Sequence, residues 1–343
     1  MAQPMLYSGG EHECGVVGSQ LAQIQSGWGT PITVEALATV IDPQEIAQVL
    51  RETNTQSKRR RKLPAELVMW LVVGMALFRD LSIMNVLHRL VRGLGMPLLW
   101  KQTPRKAPTS KAVTKARDRL GYEAVRVLFR RLAALFRSKH AGQNRWRGHD
   151  LYSIDGTTFT TPDTEDNESH FGRPGASRGS AGYPQLRGTL LVALWSHIVV
   201  AAAFGPYKVG ELTNAAGDWR AVLRIPKHLR PKARAGLLPE TLEVRLIRYQ
   251  RKGYRVAYLV TSLLDPKAYP AEELVLLYHG RWEIELCYAE VKTRFVKERV
   301  VFRCERHKRV LQEAYGLLIA YNCVRVLMAR AAQAADVVPR QLS

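Results

Sequence analysis

The chain has 343 residues, 46% of them hydrophobic and 24% charged, which suits a globular protein of about two domains. Its 51 Lys and Arg against 30 Asp and Glu leave a net charge of +21, an excess that points first to a nucleic-acid partner through phosphate neutralisation and counterion release. The four cysteines (Cys14, Cys287, Cys304 and Cys323) form no CxxC pair or zinc spacing, so neither a disulfide framework nor a zinc site is expected. The apolar run Leu67–Phe78 is shorter than the roughly 20 residues a bilayer needs, and no basic-then-apolar leader stands at the start. The expectation is a reduced cytoplasmic, nucleoid-associated protein with no membrane contact.

Residues 1–32, rich in Gly, Ser and Gln, read as a poorly ordered N-terminus. Thr33 to Thr53 reads as one or two helices, with Asp42 as cap and Pro43 in the first turn. Lys58-Arg59-Arg60-Arg61-Lys62 is either a solvated linker or a DNA-backbone contact. Pro64 to Gly93 is helical with a break at Asp80-Leu81-Ser82, where Ser82 can cap the second helix. After a basic connector, Pro104 to Pro108, two more helices are predicted over Ser110–Leu120 and Tyr122–Ser138, with Gly121 as the stop. Short basic helices of this kind fit a DNA-binding domain over residues 33–147.

Near residue 148 the pattern changes from helical to β. HDLYSID predicts a strand His149–Asp155 ending at Asp155, with Gly156 in a turn. HFGRPGASRGSAG predicts a loop, and Asp163 and Asp166 fall in a polar stretch before it. RGTLLVALWS followed by HIVVAAAFG predicts an antiparallel hairpin over Arg187–Ser196 and His197–Phe204. Further strands are expected at Leu242–Tyr249 and Tyr254–Leu263, a helix after Pro270, and a closing helix from Arg306 to Asp336.

The helix after Pro270 carries Tyr278, Arg281, Glu285 and Lys292. At about 100° per residue, all four fall within an arc of roughly 60°. Ile284, Cys287, Val291 and Phe295 lie opposite and would face a core, and Cys323 reads as a second core thiol. Two readings are open at this point. The stripe is either the solvated, ion-paired face of an amphipathic helix, or a place where a carboxylate holds a divalent metal while cations and a ring grip a phosphodiester. Metal-assisted phosphoryl transfer needs further carboxylates from other elements, and Asp155 is one candidate.

The spacing Tyr278-x2-Arg281-x3-Glu285-x6-Lys292 resembles the signature of the insertion sequence 4 family of bacterial DD-E transposases. SIDGTTFTTPDT, HFGRPGASRG, GYPQLRGTLLVAL, AAAFGPYKVGEL and LVTSLLDP are similar to family segments and stand in the expected order. So are LPAELVMWLVVGMALFRDLS and SKAVTKARDRLG in the N-terminal part. The resemblance implies a mixed α+β or α/β chain: the helical DNA-binding region, then an RNase H-like catalytic core over residues 148–335 with a β-rich insertion at about 219–265, and a tail at 336–343. It implies Asp155 and Glu285 as catalytic ligands of Mg2+, with Mn2+ able to substitute. It also implies Tyr278, Arg281 and Lys292 as contacts to the transposon end, double-stranded DNA as partner, and a homodimer in the DNA complex.

The sequence departs from this pattern after VGELT. A crossover helix and an apolar strand ending in the second Asp are expected there, yet Glu211-Leu212-Thr213 leads through Asn214–Gly217 directly to Asp218-Trp219-Arg220. Asp218 has no apolar strand before it, and neither it nor Glu211, Asp163 or Asp166 is assigned the second role. The core is therefore expected to lack one strand and one helix. The chain reads either as an active transposase cutting and joining DNA or as an internally deleted, inactive relative that only binds it. A basic DNA-binding protein with no catalytic ancestry is disfavoured by the ordered segments.

Overall fold

The computed structural model describes residues 34–57, 62–94, 108–176, 179–180, 182–207, 219–224, 241–249, 257–294 and 301–334. Among the described residues, five helices come first: α1 (Val34–Ala38), α2 (Pro43–Glu52), α3 (Ala65–Leu77), α4 (Ile83–Gly93) and α5 (Ser110–Lys139). Strands β1 (Arg145–Trp146), β2 (His149–Asp150) and β3 (Tyr152–Thr160) follow, then α6 (Glu165–Phe171). Next are β4 (Gly175–Ala176), β5 (Gly179–Ser180), β6 (Gln185–Ala193) and β7 (Val199–Gly205). The remainder is β8 (Trp219–Arg224), β9 (Thr241–Tyr249), β10 (Ala257–Thr261), α7 (Ala271–His279), α8 (Glu283–Ala289) and α9 (His307–Ala334). The chain divides into two units, one of residues 1–207 with 286–343 and one of residues 208–285.

Local chemistry sets the first helices where the sequence placed them. Asp42 accepts a hydrogen bond from the Gln44 amide at 2.8 Å, with Pro43 in the first turn of α2. Ser82 likewise accepts from the Asn85 amide at 3.2 Å and starts α4. The expected pair of helices around Gly121 runs as one element, α5, kinked at that glycine. Gly121 has φ 67° and ψ 173°, a conformation that a residue with a Cβ adopts only under strain. The cationic run 58–61, the connector 104–107, Cys14, Phe295 and the tail lie outside the described residues.

The core of the first unit is built on two helices far apart in sequence. AELVMWLVVGMAL has no polar face, so α3 has to be enclosed, and α9 and α5 pack against it. The approach is close: a Cβ on Gly316 of α9 would lie 2.8 Å from the Val72 carbonyl oxygen. Polar pairs fix the register. Buried Arg117 on α5 donates to Gln312 at 2.9 Å, and Gln312 donates back to the Gly121 carbonyl at 2.9 Å. The buried Glu313 carboxylate faces Arg79 at 3.4 Å and accepts from the Arg303 amide at 3.1 Å.

The sheet of this unit is antiparallel, in the order β3-β6-β7. It corrects one expectation. The strand does not end at Asp155; β3 runs on to Thr160, with Asp155 opposite Leu190 and Gly156 opposite Thr189. Buried Thr157 and Phe159 continue the alternation, and their burial outweighs the turn preference of Asp-Gly. His149 and Asp150 belong to a separate two-stranded ribbon with Arg145 and Trp146. A second correction concerns the polar stretch after it. Asp166 is on α6, whose first turn is capped by Thr164, and His170 and Phe171 complete that helix; β4 and β5 then form a short ribbon. Beside the end of β3, the Phe302 amide donates to the Thr160 carbonyl at 3.1 Å in a parallel bridge.

The second unit holds another antiparallel sheet, in the order β10-β9-β8, followed by α7 after Pro270. Arg245 on β9 donates to the Tyr269 carbonyl at 2.7 Å and ties that sheet to the start of the helix. The chain is thus a mixed helix and sheet protein, as its sequence pattern implied.

Candidate active site and nucleic-acid interface

Asp155 sits in the middle of β3. One carboxylate oxygen accepts from the neighbouring Gly156 amide at 2.7 Å, and the other has no hydrogen-bond partner among the described residues. Its own carbonyl accepts from the Tyr288 hydroxyl on α8 at 2.6 Å. Burial, and then the nearby Asp155 charge, push the Tyr288 hydroxyl upward, so it remains a protonated donor. Lys292 lies over the ring of Phe159 at 5.4 Å. Phe159 is four residues along β3 from Asp155 and therefore on the same side of the strand. Lys292 and Asp155 belong to one unit and to one face of β3.

Tyr278 and Arg281 belong to the other unit, and the structure brings these two together. The Arg281 guanidinium stands 5.6 Å from the Tyr278 ring centre and 5.8 Å from that of Trp282. Tyr249 on β9 meets Tyr278 edge-on at 6.5 Å. Tyr278 and Trp282 are both exposed, an arrangement of rings and cation suited to a sugar-phosphate chain. Glu285, exposed on α8, is the last residue of this unit.

The four signature residues do not share one regular helix, which corrects the uniform 100° step. A 3-10 turn, Gly280–Trp282, separates α7 from α8, and a π turn, Glu290–Arg294, follows α8. Gly280 has weak helix propensity and sits where the pitch tightens. The opposite side behaves as read from the sequence: Ile284, Cys287 and Val291 are fully buried, as is Cys323. Burial pushes the Cys287 thiol up to about 12, so it is a core thiol and not a nucleophile.

What anchors this segment is a buried polar cluster that the sequence reading missed. Buried Glu290 accepts from the Tyr321 hydroxyl at 2.6 Å, faces His197 Nδ1 at 3.3 Å and meets Arg325 Nη1 at 3.4 Å. Arg325 also donates to the Ser196 carbonyl at 3.0 Å. The neighbouring Asn322 pairs with both the amide and the carbonyl of Val199, at 2.9 and 2.8 Å. Burial alone would raise the Glu290 carboxyl, but the His197 hydrogen bond and the charge of Arg325 outweigh it and bring it down to about 2. The available signal was Tyr321, Asn322 and Arg325 standing as polar residues inside an apolar helix.

Among the described residues, no three or more His, Cys, Asp or Glu side chains stand together to hold a metal ion. Asp163 is engaged by Arg173, and Asp166 accepts from the His307 amide at 2.7 Å, so both have structural partners. Asp218 and Glu211 lie outside the described residues. No described helix is long and apolar enough to cross a membrane.

Residues 31–130 match the insertion element 4 transposase N-terminal family, and residues 217–323 match the transposase DDE domain. The transposase InsG for insertion sequence element IS4 of Escherichia coli (strain K12) is 34% identical over 355 positions, covering 88% of this chain and 78% of that protein. The putative transposase InsZ of the same strain is 31% identical over 190 positions, covering 54% of this chain and 59% of its own. No solved structure matches. The InsG alignment is longer than the 343 residues of this chain, so InsG has residues within the matched span that have no counterpart here. By these matches the chain belongs to the insertion sequence 4 family of transposases.

Proposed function

We propose that this chain binds the ends of its insertion element but is short of one carboxylate for the metal-dependent cutting and joining of DNA that its family performs. The observation that carries this reading is the length of chain between β7 and β8. Residues 206–218 are all that separate the two strands, whereas a parallel crossover alone takes about a dozen residues or more, before any strand is counted. A crossover helix and a central strand ending in a second Asp do not both fit there.

In this reading residues 33–147 form the DNA-binding region and residues 148–335 an RNase H-like core that has lost a strand and a helix. Asp155 and Glu285 are the remaining ligands for Mg2+ or Mn2+. Tyr278, Arg281 and Lys292 grip the element end, and two copies act across paired ends. A divalent ion in a complete site would stabilise charge on the attacking and leaving oxygens. Two carboxylates alone do not make up that donor set, so no cleavage step is assigned to this chain. The competing reading, an active enzyme with Asp218 as substitute ligand, draws on the DDE match beginning at residue 217.

The test combines binding and cleavage on duplexes carrying the element ends, with Mg2+ or Mn2+ and with Glu285→Gln and Asp218→Asn as controls. The expected result is preference for the ends over random duplex without strand cleavage. Cleavage that requires metal, Glu285 and Asp218 together would establish the active reading instead.

A further inference from the structure

A groove runs between the second half of α5 and β7, with an open volume of about 270 Å3. Its floor is Ala133, Ala134, Ala201 and Ala202, and Arg130 and Arg137 stand on its helical wall. These two arginines differ from their neighbours. Arg131 is paired with Glu45 at 3.2 Å and with Glu52 at 2.9 Å, and Arg126 with Glu123. Arg130 and Arg137 are exposed and make no ion pair among the described residues. A second small cavity adjoins the first at Arg137, and its one carboxylate, Asp150, is taken by Arg145 at 2.9 Å.

The spacing selects the ligand. Seven residues along a helix bring Arg130 and Arg137 to nearly the same side, about 10.5 Å apart along the axis. Successive phosphates of one duplex strand are about 3.4 Å apart along the duplex axis, so three steps span the same distance. The four alanines keep the floor low between the two cations, so a bulky backbone can approach. We infer that this groove holds the phosphodiester backbone of duplex DNA, as a contact independent of sequence and separate from Tyr278, Arg281 and Lys292. The inference rests on the reading of the chain as a DNA-binding transposase relative.

The test uses the full chain and its Arg130→Ala/Arg137→Ala variant, titrated with random and element-end duplexes over a range of salt. Each phosphate contact contributes about 0.9 to the slope of log K against log salt. The variant is expected to lower the slope by about 2 on both duplexes and to keep the ratio of end to random affinity, because phosphate contacts carry no sequence information. Arg130→Lys/Arg137→Lys is expected to restore the slope, which separates lost charge from lost fold. An unchanged slope in the alanine variant, with the wild type still binding DNA, overturns the groove and leaves end binding intact. A wild type that binds no duplex overturns both. Polyglutamate held by the wild type and lost in the alanine variant, at unchanged DNA slope, replaces DNA with an acidic protein as the occupant.

Discussion

The stretch from Ala271 to Arg294 is held in two different ways along its length. Its first half offers Tyr278, Arg281 and Trp282 to solvent, in contact mainly with one another and with Tyr249. Its second half is sealed: Ile284, Cys287 and Val291 are fully buried, Tyr288 is bonded to the backbone of β3, and Glu290 is enclosed by His197, Tyr321 and Arg325. Groups that bind a ligand have to stay available, and groups that position a helix have to be satisfied inside the protein. The eight residues from Arg281 to Tyr288 pass from one duty to the other. Mutations on the two sides should therefore be read out by different measurements.

The largest effect is expected at Glu290. Glu290→Ala leaves Arg325 and His197 buried without their carboxylate, which should cost about 3–5 kcal/mol in a thermal or denaturant melt. A loss under about 1 kcal/mol would mean that the network is incidental to the anchoring of α8. Acid provides a gentler probe of the same group. The Glu290 carboxyl is held at about 2, below its ordinary 4.5, so the stability it contributes is complete above about pH 4.5 and is lost as pH falls towards 2. The difference is about 3 kcal/mol. Acid titration of the wild type should show this loss, and Glu290→Gln should flatten it.

The exposed half should respond in the opposite sense. Tyr278→Ala and Arg281→Ala should change the melting free energy by no more than about 0.5 kcal/mol. Each should weaken binding to element ends by about tenfold, the scale of one lost ring or phosphate contact. A large drop in stability with either variant would merge the two halves into one structural unit. The smallest effect is expected for Tyr288→Phe, which removes the bond to the Asp155 carbonyl and should cost about 1 kcal/mol by denaturant titration.

Local signals told the truth where local chemistry decides the structure. Asp42, Ser82 and Gly121 cap or break helices where they were read, because each acts within a turn of its own position. The buried side of α8 was legible for the same reason, through its apolar spacing. Asp155-Gly156 departs from its turn preference because that local bias yields to a full register against Leu190 and Thr189. The 3-10 and π turns flanking α8 leave no mark in a periodicity that assumes one pitch. The Glu290 cluster was invisible because His197 is 93 positions away in sequence and Tyr321 is 31. Its one trace was the polar run in α9, which lacks any cue to its partner.

The pairing of α3 with α9 has a consequence for how the chain is made. The thirteen residues of α3 have no side that suits water, and a large part of their cover, α9, begins only at His307. Residues 78–306 must leave the ribosome first, which at about 5–20 residues per second takes on the order of 10–50 s. Through that interval the nascent chain carries an apolar helix that lacks the α9 part of its cover. A copy that stops before His307 never completes that cover and should aggregate, whereas shortening the middle of the chain brings the two helices together sooner.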